Sequence, residues 1–234
     1  MSVGDVVSAV YVGRVQALPG DGRPTAIFKQ AVHGPARLTV IGLDGDAQGD
    51  PRVHGGPDKA LHQFPVANYA RLARAFPDLA AQFVPGAMGE NLSTEHADQS
   101  NVCIGDVYAL GSAQVQLCQP RRPCWKIDAR FAVEGICAWV DASGLTGWYY
   151  RVLQAGQVQA GDRLRLLQRH PEAPTVEQFL NLMRAHRPQV AELLRIAALP
   201  GLNATWAERL RTRARWLHDN SVADSPPADT SSRP

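Results

Sequence analysis

The clearest chemical signal in this sequence is a cysteine among basic residues, in the segment QPRRPCWK at positions 119–126. Its two prolines restrict the backbone on both sides of the arginines, which predicts a rigid loop and not a helix. Arg121, Arg122 and Lys126 are near Cys124 in sequence, and nearby positive charge stabilises a thiolate. A thiolate acts as a nucleophile or binds a soft metal. The alternative is a structural cysteine beside a packing tryptophan, but the local cations favour a functional one.

The other three cysteines, Cys103, Cys118 and Cys137, lie in apolar stretches without such neighbours, and we predict that they belong to the core. The chain has no CxxC pair, which argues against a zinc ribbon and against thioredoxin chemistry. The first residues do not match an export signal. We therefore expect four thiols in a reducing cytoplasm.

A second candidate segment, DPRVHGGPDKALHQFP at positions 50–65, is centred on a glycine pair. Gly55 and Gly56 let the backbone approach a ligand closely and can present N–H groups to an anion. His54, Asp58 and His62 are spaced by four residues, as in some helical metal sites. The Gly-Gly-Pro sequence interrupts such a helix, so zinc is not predicted. A solvated glycine turn is an equally good interpretation of this segment alone.

A third segment, GAMGENL at positions 86–92, places Glu90 and Asn91 after a glycine. An acid and an amide suit hydrogen bonds to a heterocycle. The pattern alone is weak, because turns of this composition are common.

The composition limits the function classes. The chain has 234 residues, of which 45% are hydrophobic and 20% charged, enough apolar content for a folded core. A formal net charge of +2 argues against a nucleic-acid binder, and no uncharged stretch is long enough to cross a membrane. Only Lys29, Lys59 and Lys126 among the 24 basic residues are lysines. In an arginine-rich chain this indicates positions that need a compact ammonium group.

The elements that must position these residues are short strands between Gly- and Pro-rich turns. Strand-like stretches are predicted at 5–18, 37–43, 107–110, 113–118 and 163–167, with amphipathic helices at 65–76 and 133–142. Many short strands without regular βαβ alternation predict a β-barrel.

The pattern becomes helical after residue 170. A capping box of Thr175 and Gln178, a proline at 188 and a capping Asn203 mark three helices, the last ending near 217. We therefore divide the chain into a barrel domain at 1–170, a helical domain at 171–218 and a disordered tail at 219–234. The three helices are expected to pack on each other and on the barrel.

Taken together and in this order, HGGPDKALHQFP, GENLS, IGDVYALGSAQVQLCQPRRPCWK and GWYYRVLQAGQVQAGD resemble the MOSC domain family. The stretches TAIFK and GLDGD also match, and the helical C-terminus resembles the YiiM type. The resemblance covers about residues 6–217. It implies an α+β, mainly β fold: a MOSC-type β-barrel with peripheral helices and a small C-terminal three-helix domain. Two positions depart from the family pattern, Phe64 where a tyrosine is expected and His96 where a glycine is expected.

The resemblance also implies a function: binding of the molybdenum cofactor (molybdopterin) and reduction of N-hydroxylated compounds such as hydroxylaminopurines. Cys124 would ligate molybdenum or carry sulfur to it, and His54 is our candidate proton donor. The remaining expected cofactor contacts come from all three segments and from the TAIFK stretch: Lys29, His54, Gly55, Gly56, Asp58, Lys59, Glu90, Asn91, Arg121, Arg122 and Lys126.

The expected partners are a small N-hydroxylated substrate and an electron-donor protein, because no flavin, haem or iron–sulfur motif is found. Nucleic acid and membranes are not expected as partners, and a homodimer is left open. Two rival functions stay open. One is a carrier of the cofactor or of sulfur without turnover. The other is a cysteine hydrolase, with Cys124 as nucleophile and His54 as base.

Overall fold

The centre of the molecule is a closed ring of strands, seen in a computed structural model that describes residues 4–223. In chain order the strands of this part are β1 (Gly4–Val12), β2 (Gln16–Ala17), β3 (Pro24–Thr25), β4 (Gln30–Ala31), β5 (Ala36–Thr39), β6 (Gly42–Leu43), β7 (Leu61–Pro65), β8 (Leu92–Thr94), β9 (Val107–Leu110), β10 (Ala113–Pro120), β11 (Trp148–Gln154), β12 (Gly156–Val158) and β13 (Arg163–Gln168).

Seven of these strands close the barrel in the order β1-β8-β7-β11-β10-β9-β13, and β13 pairs back with β1. All neighbours in the ring are antiparallel except β7 and β8, which are parallel. The predicted mainly β barrel fold is therefore confirmed. The short strands lie outside the ring: β4 extends β1, β12-β5-β6 form a small sheet, and β2 pairs with β3.

Helices surround the barrel. They are α1 (Pro51–His54), α2 (Val66–Ala75), α3 (Lys126–Phe131), α4 (Ile136–Ser143), α5 (Val176–Arg184), α6 (Val190–Ala197) and α7 (Ala204–Ala223), with 3-10 turns at Pro57–Lys59 and Pro77–Gln82. No helix within residues 4–223 is long and apolar enough to cross a membrane.

Several element boundaries differ from the sequence prediction for local reasons. The first strand ends at Val12, and the next residue, Gly13, packs directly on another segment, where a Cβ would be 2.7 Å from the Ala26 carbonyl oxygen. The predicted helix at 133–142 starts later, after Gly135, which has a φ of 96°. The cysteine segment does not remain a loop throughout, because Lys126 begins α3.

The last helix continues beyond its predicted end near 217. It reaches Ala223, so residues 219–223 are helical and not part of a tail. Asn220 Nδ2 donates to the Trp216 carbonyl oxygen at 2.7 Å within this extension. The predicted disorder of 224–234 lies outside the described residues.

One hydrophobic core runs from the barrel interior into the C-terminal helices. Val7, Leu92 and Tyr150 of the barrel belong to the same buried cluster as Phe179 and Leu193 of the helices. Backbone hydrogen bonds join the two parts as well: Val176 N donates to the Val102 carbonyl at 3.0 Å, and Asn203 N to that of Cys118 at 2.9 Å. The helices therefore pack on the barrel, while a domain boundary at 170 stays a prediction.

A second, smaller cluster supports the cysteine segment. Phe64 of β7 and Tyr69 and Leu72 of α2 pack against Ile127 and Phe131 of α3. Because α3 begins two residues after Cys124, this cluster fixes the chain on the C-terminal side of the cysteine.

Candidate functional site

Cys124 lies on a short connection between β10 and α3. On the strand side, Arg121 N donates to the Gly147 carbonyl at 3.0 Å. On the helix side, Ile127 N donates to the Cys124 carbonyl at 2.9 Å. Cys124 itself is partly exposed. The thiol is therefore presented to solvent by a backbone that is held on both sides.

An inner cavity with about 580 Å³ of space, part of it open solvent, lies on one side of Cys124. Four basic side chains line it, those of Lys29, Lys59, Arg121 and Lys126. The carboxylate that lines this cavity belongs to Asp46. The cavity is therefore positively charged, which suits an anionic ligand.

Lys29 and Asp46 form a buried ion pair on the floor of this cavity, with side chains only 6% and 5% exposed. Asp46 Oδ1 also accepts from Gly13 N at 2.7 Å, and Asn91 Nδ2 donates to Asp46 Oδ2 at 2.8 Å. Burial lowers the pKa of Lys29, and Asp46 opposes that shift. The contact with Asp46 thus favours the charged ammonium that burial disfavours.

His62 and Tyr149 complete the wall. The sequence analysis named His62 only in a metal-site spacing that it discounted, and it did not single out Tyr149. Their ring centroids are 5.1 Å apart. His62 is buried, and its Nε2 has no hydrogen-bond partner among the described residues. Burial and the charge of Arg121 hold the pKa of His62 well below its usual range. Arg121 is buried too and donates to the Met88 carbonyl at 2.8 Å.

An outer groove lies on the other side of Cys124, between the glycine-pair segment and the start of α7. It has about 1410 Å³ of space, part of it open solvent, and Trp206 and Arg209 of α7 form its far wall. Cys124, His54, Lys59 and Tyr149 line both the inner cavity and the outer groove. Cys124 is thus placed where the two spaces meet.

The glycine pair belongs to the outer groove. Asp50 caps α1 by accepting from Arg52 N at 3.1 Å, and Gly55 N donates to the Pro51 carbonyl at 3.1 Å. The Gly55 N–H is therefore already used, contrary to the idea that it is presented to an anion. Gly56 has a φ of 95°, which favours glycine at this turn.

Asp58 is held by two partners and does not project freely into the groove. Arg151 Nε donates to it at 2.8 Å and Asn203 Nδ2 at 2.6 Å. The backbone carbonyl of Asp58 accepts from Gln119 Nε2 at 2.7 Å. Asp58 therefore connects the glycine-pair segment, the end of β10 and the start of α7. The neighbouring Lys59 ammonium donates to the Val53 carbonyl.

His54 faces several cations across both spaces. Burial lowers its pKa, and the charges of Lys126, Arg121 and Lys59 lower it further. In the absence of a bound anion His54 is consequently neutral at pH 7.

Glu90 is placed differently from the other predicted contacts. It is fully buried, and its carboxylate accepts from Tyr69 Oη at 2.6 Å, Gly86 N at 2.6 Å and Met88 N at 3.1 Å. Burial raises the pKa of Glu90. Its hydrogen bonds shape the 86–91 turn, while its neighbour Asn91 reaches the inner cavity.

The other cysteines divide into two groups. Cys103 and Cys118 are buried, and burial raises the pKa of Cys118 to about 12. Cys137 is only partly buried and packs against the smaller core cluster, so it lies at the edge of the core and not within it as predicted. Burial, Asp128 and Cys124 raise the pKa of Cys137, in that order, which places it in the electrostatic range of Cys124.

Neither of the two departures from the family pattern lines the inner cavity or the outer groove. Phe64 packs edge-on to Tyr69, with ring centroids 5.1 Å apart, in the smaller core cluster. His96 N and Nδ1 approach the buried Asp5 carboxylate at 2.9 and 3.2 Å.

The comparison with known proteins agrees with this architecture. A family model described as the MOSC domain matches residues 50–165. YiiM of Escherichia coli (strain K12) is 39% identical over 205 residues, covering 87% of this chain and 90% of YiiM. This chain belongs to the MOSC-domain family. MOSC domains are associated with the molybdenum cofactor, and this MOSC protein carries the YiiM-type C-terminal helices.

Solved structures and a further relative extend the comparison. The crystal structure of YiiM from Escherichia coli matches this MOSC protein with a TM-score of 0.73 and 31% identity, and the match covers 92% of each chain. The crystal structure of YiiM from Geobacillus stearothermophilus matches with a TM-score of 0.76 and 27% identity, and the match covers 90% of this chain and 99% of that one. A protein named Reductase from Gibberella moniliformis is 33% identical over 198 residues, which cover 83% of this chain and 35% of that protein.

Proposed function

We propose that this MOSC protein binds the molybdenum cofactor beside Cys124 and reduces N-hydroxylated compounds. One observation carries the proposal: the partly exposed Cys124 stands between a basic inner cavity and a larger groove. This arrangement suits a ligand held on one side of the thiol and a substrate that approaches from the other. The relative named Reductase supports the reaction class.

The residues of the inner cavity fit the cofactor chemically. A thiolate is a good ligand for a soft metal, and Lys29, Arg121 and Lys126 supply charge for a phosphate. The unpartnered His62 Nε2 is a buried polar atom that a pterin ring can satisfy. Asn91 contributes to the wall, and Gly55, Gly56, Asp58 and Arg122 belong to the groove side. Glu90 acts only through the turn that it shapes.

When bound, the cofactor supplies two electrons at molybdenum, and the reaction is R–NHOH + 2 e⁻ + 2 H⁺ → R–NH₂ + H₂O. The N–O bond breaks and the oxygen leaves as water. His54, which lines the groove beside Cys124, would give a proton to that oxygen. A bound anion offsets the charges of Lys126, Arg121 and Lys59, which raises the pKa of His54 toward its usual range and makes it a better acid. A separate electron-transfer protein restores the electrons.

Metal analysis tests the cofactor assignment. The full chain is produced in cells that make the molybdenum cofactor, and molybdenum per chain is measured for wild type, Cys124→Ser and the matched control Cys137→Ser. Loss of the metal-binding thiol is expected to lower the molybdenum content at least about tenfold, whereas Cys137→Ser keeps it. Equal, negligible molybdenum in wild type and Cys124→Ser would contradict the proposal.

Turnover separates the proposed enzyme from its rivals. The loaded protein should convert hydroxylaminopurine to the amine with an artificial electron donor. Stoichiometric loading without turnover would identify a carrier. Hydrolysis that proceeds without molybdenum and is lost in Cys124→Ser would identify a cysteine hydrolase with Cys124 as nucleophile.

A further inference from the structure

The outer groove carries positive charge that the described residues do not neutralise. Lys59, Arg122 and Arg209 line it from three different segments. Arg122 and Arg209 make no ion pair or hydrogen bond within residues 4–223, and Arg209 lies over the Trp206 ring at 5.2 Å. Two guanidinium groups are therefore available to a ligand at the groove surface.

These cations are close enough to act on one another. Burial lowers the pKa of Lys59, and the charges of Arg122 and Arg209 lower it further. The carboxylate that lines the groove belongs to Asp58, and it already accepts hydrogen bonds from Arg151 and Asn203. Mutual repulsion among three cations is a cost that an anionic ligand would remove.

The N-terminus of α7 adds to the positive electrostatic potential of the groove. This helix has 20 residues, and Thr205 and Trp206 of its first turn line the groove. The positive end of the helix dipole therefore faces the same space as the three basic side chains.

We propose that the outer groove is a phosphate subsite, which makes phosphorylated N-hydroxylated compounds of the nucleotide class preferred over their unphosphorylated forms. This inference rests on the proposed reduction at Cys124. Lys29, Arg121 and Lys126 line only the inner cavity and can hold the cofactor phosphate, whereas Arg122 and Arg209 line only the groove and can serve a second anion. A nucleotide carries a phosphate at one end and a base that can bear the N–OH group at the other. In the groove the phosphate would lie at Arg209 on the far wall, and the base with its N–OH group would lie at Cys124 on the near wall.

Equilibrium binding tests the subsite without turnover. Adenosine 5′-monophosphate and adenosine are titrated calorimetrically into the cofactor-loaded full chain. Charge-assisted contacts to the phosphate should give the monophosphate at least about tenfold tighter binding. Arg209→Gln should abolish this advantage, and Arg209→Lys, which keeps the charge, should retain part of it. Equal binding of the two compounds by wild type overturns the subsite.

The control variant is Arg215→Gln, which removes the same charge from the same helix. Arg215 is exposed and pairs with Glu208, and it does not line the groove. It should keep the advantage of the monophosphate. Loss of the advantage in Arg215→Gln as well would mean that only the net charge matters, and would overturn the assignment of Arg209.

Molybdenum content identifies the source of the phosphate. Arg209→Gln should keep the wild-type molybdenum content if the groove binds substrate. A matching loss of molybdenum would show that the groove holds the phosphate of the cofactor, and the substrate assignment would be wrong.

Kinetics separate this inference from the proposed function. The ratio of kcat/KM for 6-hydroxylaminopurine riboside 5′-monophosphate to that for the riboside should fall in Arg209→Gln and stay unchanged in Arg215→Gln. Reduction of both compounds without any Arg209-dependent preference overturns the subsite alone. Binding of the monophosphate that depends on Arg209, with neither compound reduced, supports the phosphate subsite and contradicts the reduction.

Discussion

Lys29 shows why single lysines persist in this arginine-rich chain. Its ammonium is buried against Asp46, and its Cδ lies where a Cβ on Gly13 would come within 2.9 Å. A planar guanidinium needs more room and a different hydrogen-bond geometry than an ammonium. At Lys29 the need for a compact cation has a steric cause, whereas Lys126 donates to the Pro24 carbonyl at 2.8 Å from a less crowded position.

His62 predicts how stability depends on pH. Its folded pKa lies well below the ordinary value of 6.5, so on acidification the unfolded chain binds the proton first. The stability that neutral His62 contributes is complete above about pH 6.5. It is lost as the pH falls toward the folded pKa, by up to about 1.4 kcal/mol per pH unit. His62→Gln, which cannot titrate, should flatten the decline of the unfolding free energy between about pH 5 and pH 7.

Urea unfolding at several pH values measures this slope in the cofactor-free protein. His33→Gln is the control, since His33 is exposed and lies outside both cavities. The interpretation fails if the two variants have the same slope. The slope is the readout, because the absolute stability of His62→Gln also reflects repacking next to Tyr149.

Among the elements, α7 also helps to position the site, through Asn203, the residue that caps its N-terminus. Asn203 Oδ1 accepts from Thr205 N at 3.0 Å and Trp206 N at 3.2 Å, which caps the helix. Its Nδ2 donates to Asp58 at 2.6 Å. One side chain therefore starts the helix and anchors the glycine-pair segment.

Two substitutions at Asn203 separate these tasks. Asn203→Ala removes both the helix cap and the hydrogen bond to Asp58, and loss of the cap alone should lower the stability by about 0.5–2 kcal/mol. Asn203→Asp keeps an acceptor for the cap but places a second carboxylate against Asp58, so repulsion should displace the glycine-pair segment. Both variants should lose molybdenum content, and urea unfolding should show the smaller loss of cap stability in Asn203→Asp.

The matched control is Thr175→Ala, which removes the cap of α5. A similar stability loss is expected there with the molybdenum content preserved. Equal loss of molybdenum in Thr175→Ala and Asn203→Ala would mean that general destabilisation, and not the link to Asp58, empties the site.

The sequence predicts this level of structure unevenly, for physical reasons. β9 was placed correctly because turns bound it at both ends. β7 was missed, since all five of its residues are buried and no alternation between apolar and polar residues marks it as a strand. The short α1 was also missed, although an aspartate before a proline is a known helix start.

The site was predictable where its residues are neighbours in sequence and not where folding brings them together. Cys124, Arg121 and Lys126 are near one another in one segment, which reveals the cationic environment. Tyr149 lines the same spaces as the cysteine because β10 pairs with β11, and Arg209 lines the same groove because α7 docks there. Asp46 and His62 lie within stretches that match the family, but no local pattern shows that they line one cavity.

For the molecule as a whole, the shared core predicts that the barrel and the C-terminal helices unfold as one unit. Val102 and Leu117 of the barrel side are in the same cluster as Leu193 and Leu210 of α6 and α7. Removal of the helices would expose this apolar surface to water. The outer groove, which needs both parts, exists only when they are assembled.

Leu193→Ala tests this unity, because Leu193 is fully buried in α6 and far in sequence from the barrel strands. Loss of a buried leucine side chain should cost about 2–5 kcal/mol. If the core is continuous, hydrogen exchange of the amides in β9 and β10 should accelerate together with exchange in α5–α7, since the parts open as one unit. Glu134→Ala, on an exposed turn, should leave both patterns unchanged. Faster exchange confined to α5–α7 would instead show that the helices open separately, and the barrel would then be the smallest unit that keeps its fold.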